Sequence, residues 1–119
     1  MFIRMFLVEN IHYVAYVFII TDPPSILYLP KQDINETSDF SIVCNATPGN
    51  PNKTTFYWTR QNDPVFKRNG SILHIPNIQR NSSGTYSCTA KNSYNNTEMG
   101  IDTKNLIVNV LCELIFPNK

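Results

Sequence analysis

Gly84-Thr85-Tyr86-Ser87-Cys88-Thr89-Ala90-Lys91-Asn92 alternates residue by residue, with Tyr86, Cys88 and Ala90 on one side and Thr85, Ser87, Thr89 and Lys91 on the other. Successive side chains of an extended chain point to opposite faces, so a period of two marks a half-buried β-strand. Upstream, Asp39-Phe40-Ser41-Ile42-Val43-Cys44-Asn45 repeats the pattern and puts Phe40, Ile42 and Cys44 on one face. Between the two lies Phe56-Tyr57-Trp58-Thr59-Arg60, whose alternation turns Phe56 and Trp58 inward. Three strands thus direct two cysteines and the chain's single tryptophan toward a core, and the fold class is all-β.

The order Cys44, Trp58, Cys88, with Tyr86 two residues before the second cysteine, resembles the immunoglobulin superfamily. Leu73-His74-Ile75-Pro76-Asn77-Ile78 is similar to one of its strands, and Gly84, Tyr86, Ala90 and Asn92 fit its pattern around the second cysteine. The resemblance spans about Pro23 to Leu111 and, as a combination, is highly specific. It implies an immunoglobulin-like β-sandwich: two antiparallel sheets, Greek-key connections and one inter-sheet disulfide between Cys44 and Cys88. Trp58 should pack against that bridge, Leu73 and Ile75 should join the core, and the Tyr86 hydroxyl should bond the backbone near residues 80–82. One departure is Ser82, where the family often has an acidic residue; this weakens any salt bridge assumed at that corner and leaves the strand reading unaltered.

The 119 residues suffice for one domain with short extensions. We divide the chain into a leader (1–22), an immunoglobulin-like domain (23–111) and a tail (112–119). Three readings compete for the leader. It is a signal peptide, although Glu9, Asn10 and His12 interrupt its apolar run; or residues 13–20 are the last strand of a preceding similar domain; or it is an artefact of gene prediction. It is too short and too polar for a membrane span.

Pro23 and Pro24 stiffen the entry, and residues 25–29 read as a first strand that Pro30 confines to an edge. Strands follow at 39–45, 55–60, 65–67 and 72–75, with turn-rich residues between them. Only fourteen residues separate Trp58 from Leu73, room for one strand rather than two, which makes the domain C2-like. After the strand at 84–92, residues 92–100 read as a polar turn and 105–111 as the last strand. Gly49 and Gly100 are assigned to turns or strand edges.

A net charge of +1 with 16% charged residues provides no basic footprint for nucleic acid. Three cysteines in such a chain imply one bridge, one odd thiol at Cys112 and an oxidising compartment. Acceptor triplets Asn-x-Ser/Thr begin at Asn35, Asn45, Asn52, Asn69, Asn81 and Asn95, where roughly two would arise by chance. The excess points to an extracellular or cell-surface glycoprotein. Only His12 and His74 could serve as imidazole bases, and His74 is expected on an outward strand face, so no catalytic role is expected. No metal-ligand spacing and no glycine-rich phosphate loop is present, and no cofactor is expected.

These features leave protein recognition as the leading function, with a cell-surface or extracellular protein, or a second copy, as partner; the rival is a structural spacer in a larger ectodomain, or a fragment of one. The contact face is expected where strands at 55–60, 84–92 and 105–111 carry no acceptor asparagine. Its outward residues are Tyr57, Thr59, Ser87, Thr89, Lys91, Ile107 and Asn109. Asn45, and Asn35 near the start of the same sheet, are expected to shield the opposite face, and the remaining sequons the two ends.

Overall fold

Residues 2–10 and 13–21 are rich in β-branched and aromatic types, and both form strands. β1 (Phe2–Asn10) pairs antiparallel with β2 (Tyr13–Thr21), from Phe2 opposite Thr21 to Asn10 opposite Tyr13. The computed structural model describes residues 2–10, 13–49, 53–94 and 97–112. After β3 (Ser25–Ile26) come β4 (Gln32–Asn35), β5 (Phe40–Val43), β6 (Ala46–Thr47), β7 (Thr54–Arg60), β8 (Asp63–Asn69) and β9 (Ile72–Ile75). A short 3-10 turn (Arg80–Ser82) then leads to β10 (Gly84–Tyr94) and β11 (Thr97–Leu111).

One sheet has five strands in the order β4-β11-β10-β7-β8. The β5–β9 and β3–β6 pairs form the opposing layer, and the Cys44–Cys88 disulfide joins the two layers across the core. The bridge closes a loop of 44 residues, worth about 4 kcal/mol in the chain-entropy account of disulfides. Trp58, Leu73, Ile78, Tyr86, Ala90, Leu106 and Val108 are buried around it. Burial of each large apolar side chain contributes about 1.5–3 kcal/mol. Ile75 packs at the margin of this cluster. The Trp58 indole satisfies its one donor by giving Nε1–H to the Ser71 carbonyl at 3.1 Å, and that same carbonyl accepts the Cys44 amide at 2.8 Å.

Four details differ from the sequence expectation. The first strand is broken: only Ser25–Ile26 pairs, with β6, and after Pro30 the chain crosses to run as β4 parallel to β11. Proline has no N–H for a ladder and fixes φ, so it marks the crossing point. Asn35 therefore lies on the edge of the five-stranded sheet and not beside Asn45. The predicted polar turn at 92–100 is instead part of a long hairpin, in which Lys91 stands opposite Ile101 and Asn92 opposite Gly100, with an irregularity at Asn92/Ser93. The strand foreseen at 65–67 extends over Asp63–Asn69.

The fourth difference concerns Gly49 and Gly100, which are explained by close approach. A Cβ on Gly100 would lie 2.6 Å from the Pro23 Cα, and one on Gly49 would collide with the Asp22 carbonyl oxygen. Buried Asn92 donates Nδ2–H to that same Asp22 oxygen at 2.7 Å. The segment entering the domain is therefore clamped between two glycines and an asparagine. Just beyond it, the Ile26 amide donates to Oδ2 of Asp102 at 2.7 Å and ties β3 to β11.

Candidate protein-contact face

The corner before β10 sets one end of the five-stranded sheet. Tyr86 donates its hydroxyl to the Ser82 carbonyl at 2.6 Å. Ser82 offers no carboxylate, and the corner is held by Arg60 instead, whose Nη2 donates to the carbonyls of Asn81 at 2.6 Å and Ser83 at 2.8 Å. The guanidinium also sits 5.3 Å from the Tyr86 ring centre, and Phe66 meets that ring edge-on at 5.5 Å. Burial pushes the Tyr86 phenol above its ordinary value, against a smaller downward pull from Arg60.

On the outer face of this sheet the cross-strand neighbours are paired laterally. Ser87 Oγ donates to Asn105 Oδ1 at 2.8 Å, the Thr89 and Thr103 hydroxyls share a hydrogen bond of 3.1 Å, and Asn109 donates to Asp33 Oδ1 at 3.3 Å. Lys91 forms an ion pair with Glu98 at 3.2 Å, and that hydrogen bond holds its ammonium pKa above the usual value. The Tyr57 ring lies between two ammonium groups, with Lys67 at 4.8 Å and Lys91 at 5.3 Å from its centre.

Of the seven residues assigned to this face from sequence, Ile107 is 52% exposed. Tyr57, Thr59, Ser87, Lys91 and Asn109 are half-buried. Thr89 is a correction: only 4% of it is exposed. It sits on the central strand directly between Tyr57 on β7 and Thr103 on β11, and neighbours on both sides cover so short a side chain. The sequence reading missed Ile101, 50% exposed, and Thr103, because it started the last strand at 105, and it passed over Asn105, the first residue of that strand and in phase with Ile107. The period-two run Ile101, Thr103, Asn105, Ile107 was the signal available.

Two of the acceptor asparagines, Asn35 and Asn69, fall at the strand edges of this sheet. Asn35, Asn45, Asn69 and Asn81 are all exposed, while Asn52 and Asn95 lie outside the described residues. Asn69 stands opposite Tyr57 in the β7–β8 pairing, and Asn35 opposite Leu111 in the β4–β11 pairing. Two sequons thus bracket the five-stranded face at its edges, and the part clear of them is centred on β10 and β11. Here a shallow depression of about 280 Å³, lined by Thr59, Arg60, Gln61, Thr85, Ser87 and Asn105, adjoins Ile107, which pairs with Thr85. Polar hollows next to exposed aliphatic groups suit a protein contact. Cys112 is exposed just past the end of β11. Among the described residues no helix is long and apolar enough to cross a membrane.

Comparison with known proteins adds the lineage. A family model for the immunoglobulin domain matches residues 23–92. Cell adhesion molecule 4 of Xenopus laevis is 32% identical over 75 residues, which cover 60% of this chain and 19% of that protein. Among solved structures, the IG1 and IG2 domains of DIP-gamma match with a TM-score of 0.63 at 21% identity, over 89% of this chain and 57% of that one. The amphioxus IgVJ-C2 molecule matches with a TM-score of 0.61 at 22% identity, over 87% of this chain and 56% of that one. The chain therefore spans a fraction of each relative's length, and with its matched segment, its two bridged layers and its buried Trp58 it belongs to the immunoglobulin domain family.

Proposed function

We propose that the domain is a glycosylated extracellular recognition module that takes part in cell adhesion by binding another surface protein or a second copy of itself, without catalysis. The observation that carries this reading is the pair Ile101 and Ile107, both about half exposed on β11, on a face whose three central strands β7, β10 and β11 carry no acceptor asparagine. Six sequons, the disulfide and the adhesion-molecule relative support the extracellular placement. The decisive test uses glycosylated protein displayed on beads, as wild type and as Ile101→Asp/Ile107→Asp. Bead clustering or capture of cells should be lost while the melting temperature is kept; clustering that persists in the folded double variant rejects this face.

The lateral pairing on the same face favours a second reading. Ser87 with Asn105, Thr89 with Thr103, and Asn109 with Asp33 satisfy one another without a partner, as suits a spacer between neighbouring domains. We take 23–111 as the domain, 1–22 as a leader, a signal peptide or the remnant of a preceding similar domain's strand, and 112–119 as a tail. An isolated two-stranded hairpin is marginally stable in water, which favours a neighbour for it.

A further inference from the structure

On the side of the sandwich opposite Ile107, three apolar side chains are left half in water: Leu27, Val43 and Ile72, at 52%, 46% and 53% exposure. Asn45 lies among them. Exposure alternates along residues 41–47, so Val43, Asn45 and Thr47 leave the chain on the same outer side. Val43 stands opposite Ile72 in the β5–β9 pairing. On the other flank, Ser25 is opposite Thr47 and Ile26 opposite Ala46, and the Leu27 amide donates to the Asn45 carbonyl at 2.8 Å. One further step of that register puts Leu27 opposite Asn45. The asparagine thus has an apolar neighbour two residues back, another across on the β3 side, and a third on the diagonal. Cross-strand and diagonal neighbours are within reach of a side chain of ordinary length.

Asn45 is exposed and heads the acceptor triplet Asn45-Ala46-Thr47. We infer that an N-glycan on Asn45 lays its first sugars over Leu27, Val43 and Ile72, and that this sugar is the missing cover of the β5–β9 side of the fold. The inference rests on the extracellular reading above. In the attachment step Nδ2 of Asn45 bonds to the anomeric carbon of a lipid-diphosphate-linked oligosaccharide, the bond from that carbon to the diphosphate oxygen breaks, and the lipid diphosphate leaves with the electron pair while the amide loses one proton. Pyranose rings present C–H groups that bury against aliphatic side chains and keep their hydroxyls in water. Removing apolar area from water in this way is favourable in proportion to the area covered. The apolar trio accordingly needs no protein partner, unlike Ile101 and Ile107.

The test is made on the full chain secreted from mammalian cells, with occupancy of Asn45 read by peptide mass mapping. Asn45→Gln should lower the melting temperature by about 4 °C, a typical shift for a small domain that loses a modest contact, and should raise the fluorescence of anilinonaphthalenesulfonate, a dye that reports open apolar surface. Thr47→Ala, which abolishes the acceptor but keeps the asparagine, should reproduce both changes. Trimming to the single Asn-linked N-acetylglucosamine should preserve the wild-type values. In a Leu27→Ser/Val43→Thr/Ile72→Thr background, loss of the Asn45 sugar should change neither quantity, because the coupling needs both partners. An unoccupied Asn45 overturns the inference, and if every other sequon is bare it overturns the extracellular reading too. An occupied Asn45 whose removal leaves melting and dye binding unchanged overturns only the packing.

Discussion

On one outer face of the sandwich Leu27, Val43 and Ile72 surround an acceptor asparagine; on the other Ile101 and Ile107 line β11, and among the described residues the acceptors beside it, Asn35 and Asn69, stand at the two edges. Per side chain the apolar exposure is alike, near one half. The difference is in what stands beside it. The first face has an Asn-x-Thr triplet at its centre, whereas the second has a ladder of short polar groups that bond one another and leave the aliphatic pair open. Exposure alone therefore says little about contact, since single exposed apolar residues are ordinary on any protein surface. In the proposals above, the position of the nearest sequon is what separates a face assigned to a sugar from one assigned to another protein.

The largest expected effect erases the contrast by removing what holds both faces in place. Cys44→Ala/Cys88→Ala should lose about 4 kcal/mol in urea unfolding, and amide exchange should quicken on β5–β9 and β7–β10 together. Quickening confined to one layer would show that the two faces are not one cooperative unit. A smaller effect belongs to the corner that supports only the five-stranded face. Arg60→Ala removes two charge-assisted bonds, to the Asn81 and Ser83 carbonyls, and should cost about 1.5–3 kcal/mol. Arg60→Lys should recover only part of this, since an ammonium lacks the planar fork.

Tyr86→Phe keeps the ring and deletes the bond to Ser82, for a cost of about 0.5–1.5 kcal/mol. The same residue carries a pH signature. The phenol's pKa is raised on folding above its ordinary 10.0, so its contribution is fully present below the unfolded value and is lost as pH rises through the folded one. Wild-type stability should therefore fall on titration upward from pH 10, and the Tyr86→Phe protein should lack that part of the fall. The smallest expected effect on stability sharpens the comparison most: Ile107→Asp, on the uncovered face, should change unfolding by less than about 0.5 kcal/mol while weakening bead clustering. Loss of folding in this variant would show that β11 presents the other side to solvent.

Much of this was legible in the chain. Alternation around Cys44, Trp58 and Cys88 identified the inward side chains of three strands, and Tyr86 followed from its place two residues before a cysteine. A side chain's face within a strand is a local property, determined by a period of two, and reading it needs no knowledge of the neighbours. Where a strand lies in a sheet is a property of distant residues. Sequence could not show that β4 would settle against β11, which carried Asn35 to the other sheet, or that Thr89 would be covered by Tyr57 and Thr103. Nor could it show that Gly49 and Gly100 make room for the backbone of Asp22 and Pro23, contacts between residues more than twenty positions apart. Alternation determines inside from outside; only the lateral pairing of strands, set by the whole packed core, decides which outward residues meet, which are covered and which are left open.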